Sequence, residues 1–292
     1  MYIPQQLMRL LSYTPVDYLI KVLNLGCKTV CWSEREERNE ALFVLSTGRV
    51  GTRTVARLLG MAPKVLAFHE PLPKLYVFNK LAYCADNHEG PREALLQGFK
   101  EARGIYLRPC TRTGRRYVET SPQVTFLAPL VAQALPNAKF VHLIRDPRQV
   151  VRSGVRRGWY GGHMQDSTRI TPLGGQPAAT WGQWEQLQKL AWLWQETNRY
   201  IEAFTSRLDS GQYTRVFSEN LFNGNERTLT KLFSMLDSEP PPGRKVKSVL
   251  DTKMNAQKTG ACPEVSSWTP AQKQRVWDIA GPLAERYGYR PD

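Results

Sequence analysis

Two rhythms of apolar residues alternate along the chain. Short runs at 41–45, 64–68, 117–119, 139–145 and 213–217 lack helical spacing and read as strands. Between them the spacing turns helical, over 52–59, 91–103, 124–135, 148–156, 178–208 (in one or two pieces), 226–236 and 270–287. Such alternation predicts an α/β fold, a single domain with a central parallel sheet flanked by helices on both faces. Ligands of these sheets bind beyond the carboxyl ends of the strands. The Pro-rich stretch 238–245 reads as a loop within one domain over 40–292. Residues 1–39 read as an N-terminal helical extension. Thr14 suits its cap, Pro15 its first position, and Val16, Leu19, Ile20 and Leu23 share a face. That face is expected to pack on the domain, with peripheral membrane contact as the alternative. The charged run 33–40 reads as a solvated connector. No stretch of about 18 uninterrupted apolar residues suggests a membrane span.

Composition narrows the ligand more than the fold. The 292 residues carry a formal charge of +14, spread without a run of five like charges. This balance favours anionic ligands and gives no basic tail for a nucleic acid polymer. The five cysteines, Cys27, Cys31, Cys84, Cys110 and Cys262, are too irregular for a disulfide framework, and no second pair completes a zinc site. Reduced thiols, the absence of an Asn-x-Ser/Thr sequon and the lack of a span lead to an expected cytoplasmic protein.

Candidate chemistry concentrates first at "ALFVLSTGRVGTRTVARLLG", residues 41–60. A buried-type strand runs into a Gly-containing turn and then a helix, with Val55, Leu58 and Leu59 on one face and Gly60 as its stop. A helix N-terminus after such a turn is a site for a phosphate-like anion. The ending is not that of a nucleotide triphosphatase loop, which closes on Gly-Lys-Ser/Thr. Here Gly51 precedes Thr52-Arg53-Thr54, and the cation comes earlier, at Arg49. A second anion site follows the strand 139–145. Arg145 stands at its carboxyl end, Asp146 suits an N-cap, Pro147 the first helical position, and Ser153 the second turn. An Arg and a Ser so placed can clasp one phosphate. A surface Arg paired with Asp146 is the plainer alternative.

Together, "LSTGRVGTRTVARLL" and "VHLIRDPRQVVRS" resemble the two signature segments of sulfotransferases that use 3′-phosphoadenosine 5′-phosphosulfate (PAPS), nearer the carbohydrate and tyrosylprotein type than the cytosolic small-molecule type. The closing "WTPAQKQRVWDIAGPLAERYGY" resembles that family's last helix. The resemblance implies a P-loop fold and PAPS as donor, with no metal. It implies that the backbone from Val50 through Gly51, Thr52 and Arg53 to Thr54 holds the 5′-phosphate, with the Thr52 and Thr54 hydroxyls assisting. Arg49 would neutralise the bridging oxygen of the leaving group, and Arg145 and Ser153 would bind the 3′-phosphate. Lys258, in Lys258-Thr259-Gly260, resembles the loop that closes over that phosphate.

The acceptor hydroxyl must lose a proton. "AFHEPLP" places His69 and Glu70 at the end of the second strand. Glu70 follows Arg49 at about the family's spacing for a Glu base, and His69 resembles the base of the small-molecule branch. Because adjacent strand residues face opposite ways, one of the two is expected in the site, and Glu70 is favoured. The family Lys before a later Pro is missing from Val118-Glu119-Thr120-Ser121-Pro122. Thr120, Ser121, Arg115 or Arg116 are the candidates to replace it. Trp181, Trp184, Trp192 and Trp194 are expected in the core, whereas Trp159-Tyr160-Gly161-Gly162-His163 suggests a mobile loop over the acceptor. The acceptor is expected to be a carbohydrate, with peptide tyrosine, lipid or a metabolite as alternatives. Two rival functions are a P-loop kinase of a small metabolite, and a non-catalytic nucleotide- or polyanion-binding protein on a transferase scaffold.

Overall fold

A computed structural model describes residues 32–85, 89–252 and 262–291. The expected N-terminal amphipathic helix, Cys27, Cys31 and the Lys258 loop lie outside the described residues. The first half runs α1 (Glu34–Glu37), β1 (Leu42–Leu45), α2 (Thr52–Leu59), β2 (Val65–Phe68), α3 (Tyr76–Cys84), α4 (Glu89–Arg112) and β3 (Arg116–Glu119). The second runs α5 (Ala128–Ala134), β4 (Lys139–Ile144), α6 (Pro147–Val155), α7 (Gly175–Thr180), α8 (Gln186–Thr205), β5 (Tyr213–Phe217), α9 (Ser218–Phe222), α10 (Glu226–Ser234), α11 (Gly243–Leu250) and α12 (Pro270–Arg286).

The five strands form one parallel sheet in the order β2-β3-β1-β4-β5. β1 is central, and all four of its residues are buried, as the unbroken apolar run requires for a strand covered on both faces. Phe43 of β1 packs near Phe99 of α4, Tyr117 of β3 and Phe140 of β4. The chain leaves β1 toward β2, returns through β3, and crosses to the other side of β1 for β4 and β5. The strand order therefore reverses at β1 and β4, which are paired through Leu45 and His142. A crevice opens at such a reversal, beyond the carboxyl ends. Both anion-type segments begin there.

Several elements depart from the pattern read in the sequence. The helix expected over 91–103 is α4, which continues to Arg112. Its buried face carries Phe99, Arg103, Leu107 and Cys110, so a charged residue interrupts the apolar stripe. Arg103 is buried because Glu119 of β3 receives two of its N–H groups, at 2.7 and 2.8 Å. Gly104 is not a breaker, since a Cβ there would lie 3.3 Å from the indole nitrogen of Trp32. α11 begins inside the stretch expected as a loop and buries Val246 and Val249. The run 33–40 is not a plain solvated connector: Trp32, Glu36 and Asn39 are buried, and Glu36 accepts from Arg108 at 3.1 Å. Among the described residues, no helix is long and apolar enough to cross a membrane.

His142 of β4 is fully enclosed between the sheet, α8 and Tyr287. Its Nε2 lies 2.7 Å from the Asn198 carbonyl oxygen, while Nδ1 has no partner. Burial pushes its pKa down to about 3. The unfolded chain therefore takes up this proton near pH 6.5 and the folded chain only near pH 3, so stability present above pH 6.5 is lost as the pH falls through that window. From pH 8 to pH 5 the expected loss from this group is about 2 kcal/mol. Urea unfolding of parent and His142→Gln at the two pH values checks it. The parent should lose about 2 kcal/mol more than the variant, and equal losses would remove His142 as the cause.

Candidate active site

The loop after β1 is held open by side chains from distant elements. The Ser46 amide donates to Thr125 Oγ1 at 3.1 Å, and the Thr125 hydroxyl returns a hydrogen bond to the Ser46 carbonyl at 3.0 Å. The Gly48 amide donates to Ser46 Oγ at 3.2 Å, and the Ser218 hydroxyl donates to the Val50 carbonyl at 2.7 Å. Gly48, Arg49 and Gly51 all adopt positive φ, at 78°, 61° and 92°. This is an ordinary conformation for glycine and a strained one for arginine. Phe222 covers Gly51 so closely that a Cβ would lie 2.3 Å from its ring. Trp159 covers Gly48.

α2 starts at Thr52, so amides at its first turn precede the first intrahelical hydrogen bonds. The Thr54 amide differs from the expectation, because it donates to the Gly51 carbonyl at 3.0 Å and is spent within the turn. The Thr52 and Thr54 side chains are buried, and that of Arg53 is exposed, within the field of His69 rather than at the amides.

The two sequence segments meet through Arg49. Its Nε donates to Ser153 Oγ at 2.8 Å, and one N–H of Arg145 donates to the Arg49 carbonyl at 3.1 Å. The plainer alternative for Arg145 does not hold. Asp146 caps α6 through the Arg148 amide at 2.7 Å and pairs with the Arg148 guanidinium at 2.7 Å. Arg49 is largely enclosed, and burial lowers its pKa to about 10. Arg157 and Arg145 push it down further, against the opposing pull of Glu70, and Arg156 acts in the same sense as the other arginines. A pocket with several guanidinium groups and one carboxylate has the charge of a dianion-binding site.

His69 and Glu70 lie just past the end of β2, where strand alternation no longer applies. Glu70 takes a positive φ of 49°, and its side chain turns to the same side as that of His69. His69 Nε2 and Glu70 Oε1 are 3.9 Å apart, and Lys74 donates to Glu70 Oε2 at 2.9 Å. Both residues therefore enter the site, contrary to the expectation of one. His69 Nδ1 lies 2.9 Å from the Thr120 carbonyl. A carbonyl only accepts, so Nδ1 carries the proton and Nε2 presents its lone pair. Burial lowers the His69 pKa below the ordinary 6.5 and keeps the ring neutral at pH 7.

The candidates for the missing Lys resolve by position. Arg116 begins β3 at the opposite end of the strand, paired with Glu40 and Asp237, and cannot reach the crevice; Arg115 precedes it. Thr120 orients His69, and Ser121 Oγ accepts from the Gln123 amide at 3.2 Å. Glu119, in the stretch where the Lys was sought, is fully buried against Arg103 and Tyr117.

The segment 159–163 is not a loose flap. Asp166 accepts from the amides of Tyr160, Gly162 and His163 at 2.9, 3.0 and 2.9 Å, and from Arg169 Nε at 3.0 Å. Arg169 in turn stacks on Trp159 at 4.0 Å. Trp192 and Trp194 are core residues, as expected. Trp181 and Trp184 are only half-buried, and Trp181 packs edge-on against Tyr160 at 5.5 Å. Sequence reasoning missed Asp166 and Arg169, whose only signal is an acid three residues from a base in a Gly-rich loop.

The profile of the sulfotransferase family matches residues 41–242, more than half of the chain, and the protein belongs to that family. In fold it resembles the sulfotransferase domain from the curacin biosynthetic pathway, with a TM-score of 0.54 and 15% identity over 87% of this chain and 99% of that one. It also resembles the sulfotransferase domain of the Synechococcus PCC 7002 olefin synthase, with a TM-score of 0.50 and 16% identity over 89% of this chain and 99% of that one. No curated protein matches it significantly in sequence.

The loop's glycines give a direct test. An alanine at Gly51 meets the outer edge of Phe222, a ring that is 37% exposed. The left-handed backbone remains, so Gly51→Ala should cost about 1–2 kcal/mol in urea unfolding. The same cost is expected in a Phe222→Ala background. A cost that Phe222→Ala removes would show that the clash, not the backbone, requires glycine.

Proposed function

We propose that this sulfotransferase transfers the sulfuryl group of PAPS to a hydroxyl acceptor, with a carbohydrate as the favoured class. The observation that carries the donor reading is the Arg49–Ser153 hydrogen bond at 2.8 Å. It joins the loop after β1 to the helix after β4, with Arg145 on the Arg49 carbonyl and Arg157 close enough to bear on the Arg49 charge. The residues present suit a doubly charged nucleotide without a bridging metal. Amides at the start of α2 would receive the 5′-phosphate, with Arg49 beside the leaving oxygen, where its charge counts most as negative charge builds. Arg145 and Ser153 would take the 3′-phosphate. For the acceptor, Trp159 stacked by Arg169, with Tyr76 close to Arg169 and Lys74, offers aromatic faces beside charged donors, a combination suited to a sugar ring.

The site supports His69 as proton acceptor, with Glu70 as its partner, which revises the preference for Glu70 read in the sequence. Nε2 is the unprotonated nitrogen, and a hydroxyl between it and Glu70 can donate to it. Once protonated, Nε2 faces Glu70 Oε1, 3.9 Å away, and the carboxylate stabilises the imidazolium. The work of the absent Lys falls to Arg49 and its neighbouring arginines.

Calorimetric titration tests the donor. Adenosine 3′,5′-bisphosphate should bind without metal, and ATP with magnesium should bind much more weakly. Arg145→Ala should weaken the bisphosphate by one to two decades, about 2–3 kcal/mol for a charged partner. Tight magnesium-dependent ATP binding would favour the kinase reading. Bisphosphate binding without transfer to any of a sugar, tyrosine, lipid or metabolite panel would favour the non-catalytic one.

For the base, His69→Ala should lower single-turnover transfer by about 10²-fold or more, and Glu70→Gln by less. The neutral imidazole is the working form, and its pKa lies below the ordinary value. The rate should therefore hold across neutral pH and fall only on the acid side of 6.5. An active His69→Ala with an inactive Glu70→Gln would return the role to Glu70.

A further inference from the structure

We infer that the protein associates head to tail with a second copy of itself, residues 238–242 of one copy lying in an aromatic groove between α6 and α12 of the next. The groove has a volume of about 360 Å³. It is lined by Arg148 of α6, by Trp268 just before α12, by Pro270, Lys273 and Trp277 within it, and by Pro291 beyond it. Its walls are held by their own contacts. The Trp268 indole N–H donates to the Pro263 carbonyl at 3.3 Å, and that of Trp277 donates to Glu285 at 3.1 Å. Trp277 packs so close to Gly281 that a Cβ there would lie 2.7 Å from its ring, and the Arg148 guanidinium stands 5.3 Å from the ring centre. Arg148 itself pairs with Asp146. Lys273 is half-buried and has no ion-pair partner among the described residues. Two tryptophans, two prolines and an uncommitted cation make a surface suited to an extended, proline-rich strand that carries an acid.

The chain carries such a strand. Residues 238–242 read Ser-Glu-Pro-Pro-Pro. Each residue before a proline is steered to extended backbone, and Pro242 has φ −50° and ψ 137°, close to polyproline II. Such a segment is ordered before it binds, so docking it costs little entropy. Ending a helix does not require it, because α10 stops at Ser234, before the first of the three prolines is reached. Glu239 and Pro242 are exposed, Pro240 and Pro241 half-buried, and the Glu239 carboxylate has no partner among the described residues. The segment cannot reach the groove of its own chain. Asp237 ties it to Arg116 and Lys139, the first residues of β3 and β4, whereas Arg148 follows the far end of β4. Groove and segment therefore stand at opposite ends of the sheet, and only another copy can bring them together. Such a contact is heterologous and repeats into a ring or an open chain. Glu239 set against Lys273 supplies a charge match in a chain whose net charge of +14 otherwise repels its copies.

Sedimentation velocity in about 0.15 M salt, from about 1 to 100 μM protein, brackets a weak contact of this kind. The parent's mean mass should rise above that of the monomer across this range. Trp277→Ala should stay monomeric, and so should the triple variant Pro240→Ala/Pro241→Ala/Pro242→Ala. Each of these retains the half of the contact that the other lacks, so an equal mixture should form a dimer that grows no further. Lys273→Glu should weaken association about tenfold, and adding Glu239→Lys to the same chain should restore it. A parent that stays monomeric throughout overturns the inference. So do variants that associate as the parent does, or a mixture that stays monomeric although each variant has the parent's circular dichroism. If the monomeric parent instead binds the peptide Ser-Glu-Pro-Pro-Pro-Gly and Trp277→Ala does not, the groove belongs to a proline-rich segment of another protein and self-association is wrong.

Discussion

Like charges held close together repel, and around Arg49, at the ends of β1 and β4, Arg145, Arg156 and Arg157 push against its charge while Glu70 favours it. Each such pair opposes folding, the more so where the site is partly enclosed. The rest of the molecule must supply that stability elsewhere. It does so with a fully buried central strand, aromatic packing around Phe43, and hydrogen bonds that pin the loop from Thr125 and Ser218. The strained φ of Arg49 belongs to the same economy, because a left-handed backbone there directs the guanidinium toward Ser153. A surface free to relax would spread these arginines into solvent. The parallel pairing of β1 with β4 prevents it.

A second electrostatic arrangement supports the proton-accepting side. Arg103 and Glu119 are both fully buried, and the remaining guanidinium nitrogen of Arg103 donates to the Pro73 carbonyl at 2.9 Å. Tyr106 donates to the Leu72 carbonyl at 2.6 Å, and the Leu75 amide donates to the Gln123 side chain at 2.9 Å. The loop bearing His69, Glu70 and Lys74 is thus fastened to α4 and to the segment after β3. Glu119 immediately precedes Thr120, whose carbonyl fixes the His69 tautomer. Removing either ion of such a pair leaves an uncompensated buried charge, typically at a cost of about 3–5 kcal/mol. The carboxylate at this strand end serves the framework.

How much of this was legible in the sequence depends on whether the signal was local. The strand–helix alternation gave the parallel sheet, and residues 213–217 match β5 at both ends. The two anion segments were visible because each carries its own strand, turn and cap. What failed was set by partners far along the chain. The length of α4 was hidden because Arg103 reads as polar until Glu119 is placed beside it. The facing of His69 and Glu70 was misjudged because strand alternation was applied to two residues that both lie beyond Phe68, where β2 ends.

Donor and acceptor functions are also built from different material. The donor pocket rests on strand ends and helix starts, the parts of the molecule fixed by the sheet. The fold is shared with sulfotransferase domains only 15–16% identical to this chain. On the proposed reading the acceptor side rests on residues 159–184, which contribute no strand and are organised by one carboxylate, Asp166, and by stacked aromatic rings. A change within that segment alters the wall facing the acceptor without moving β1 or β4. On the same reading Trp159 touches both sides, since it lies over Gly48 of the donor loop and carries Arg169 on its ring. A change at Trp159 would therefore bear on both walls, whereas a change further along the segment would bear on one.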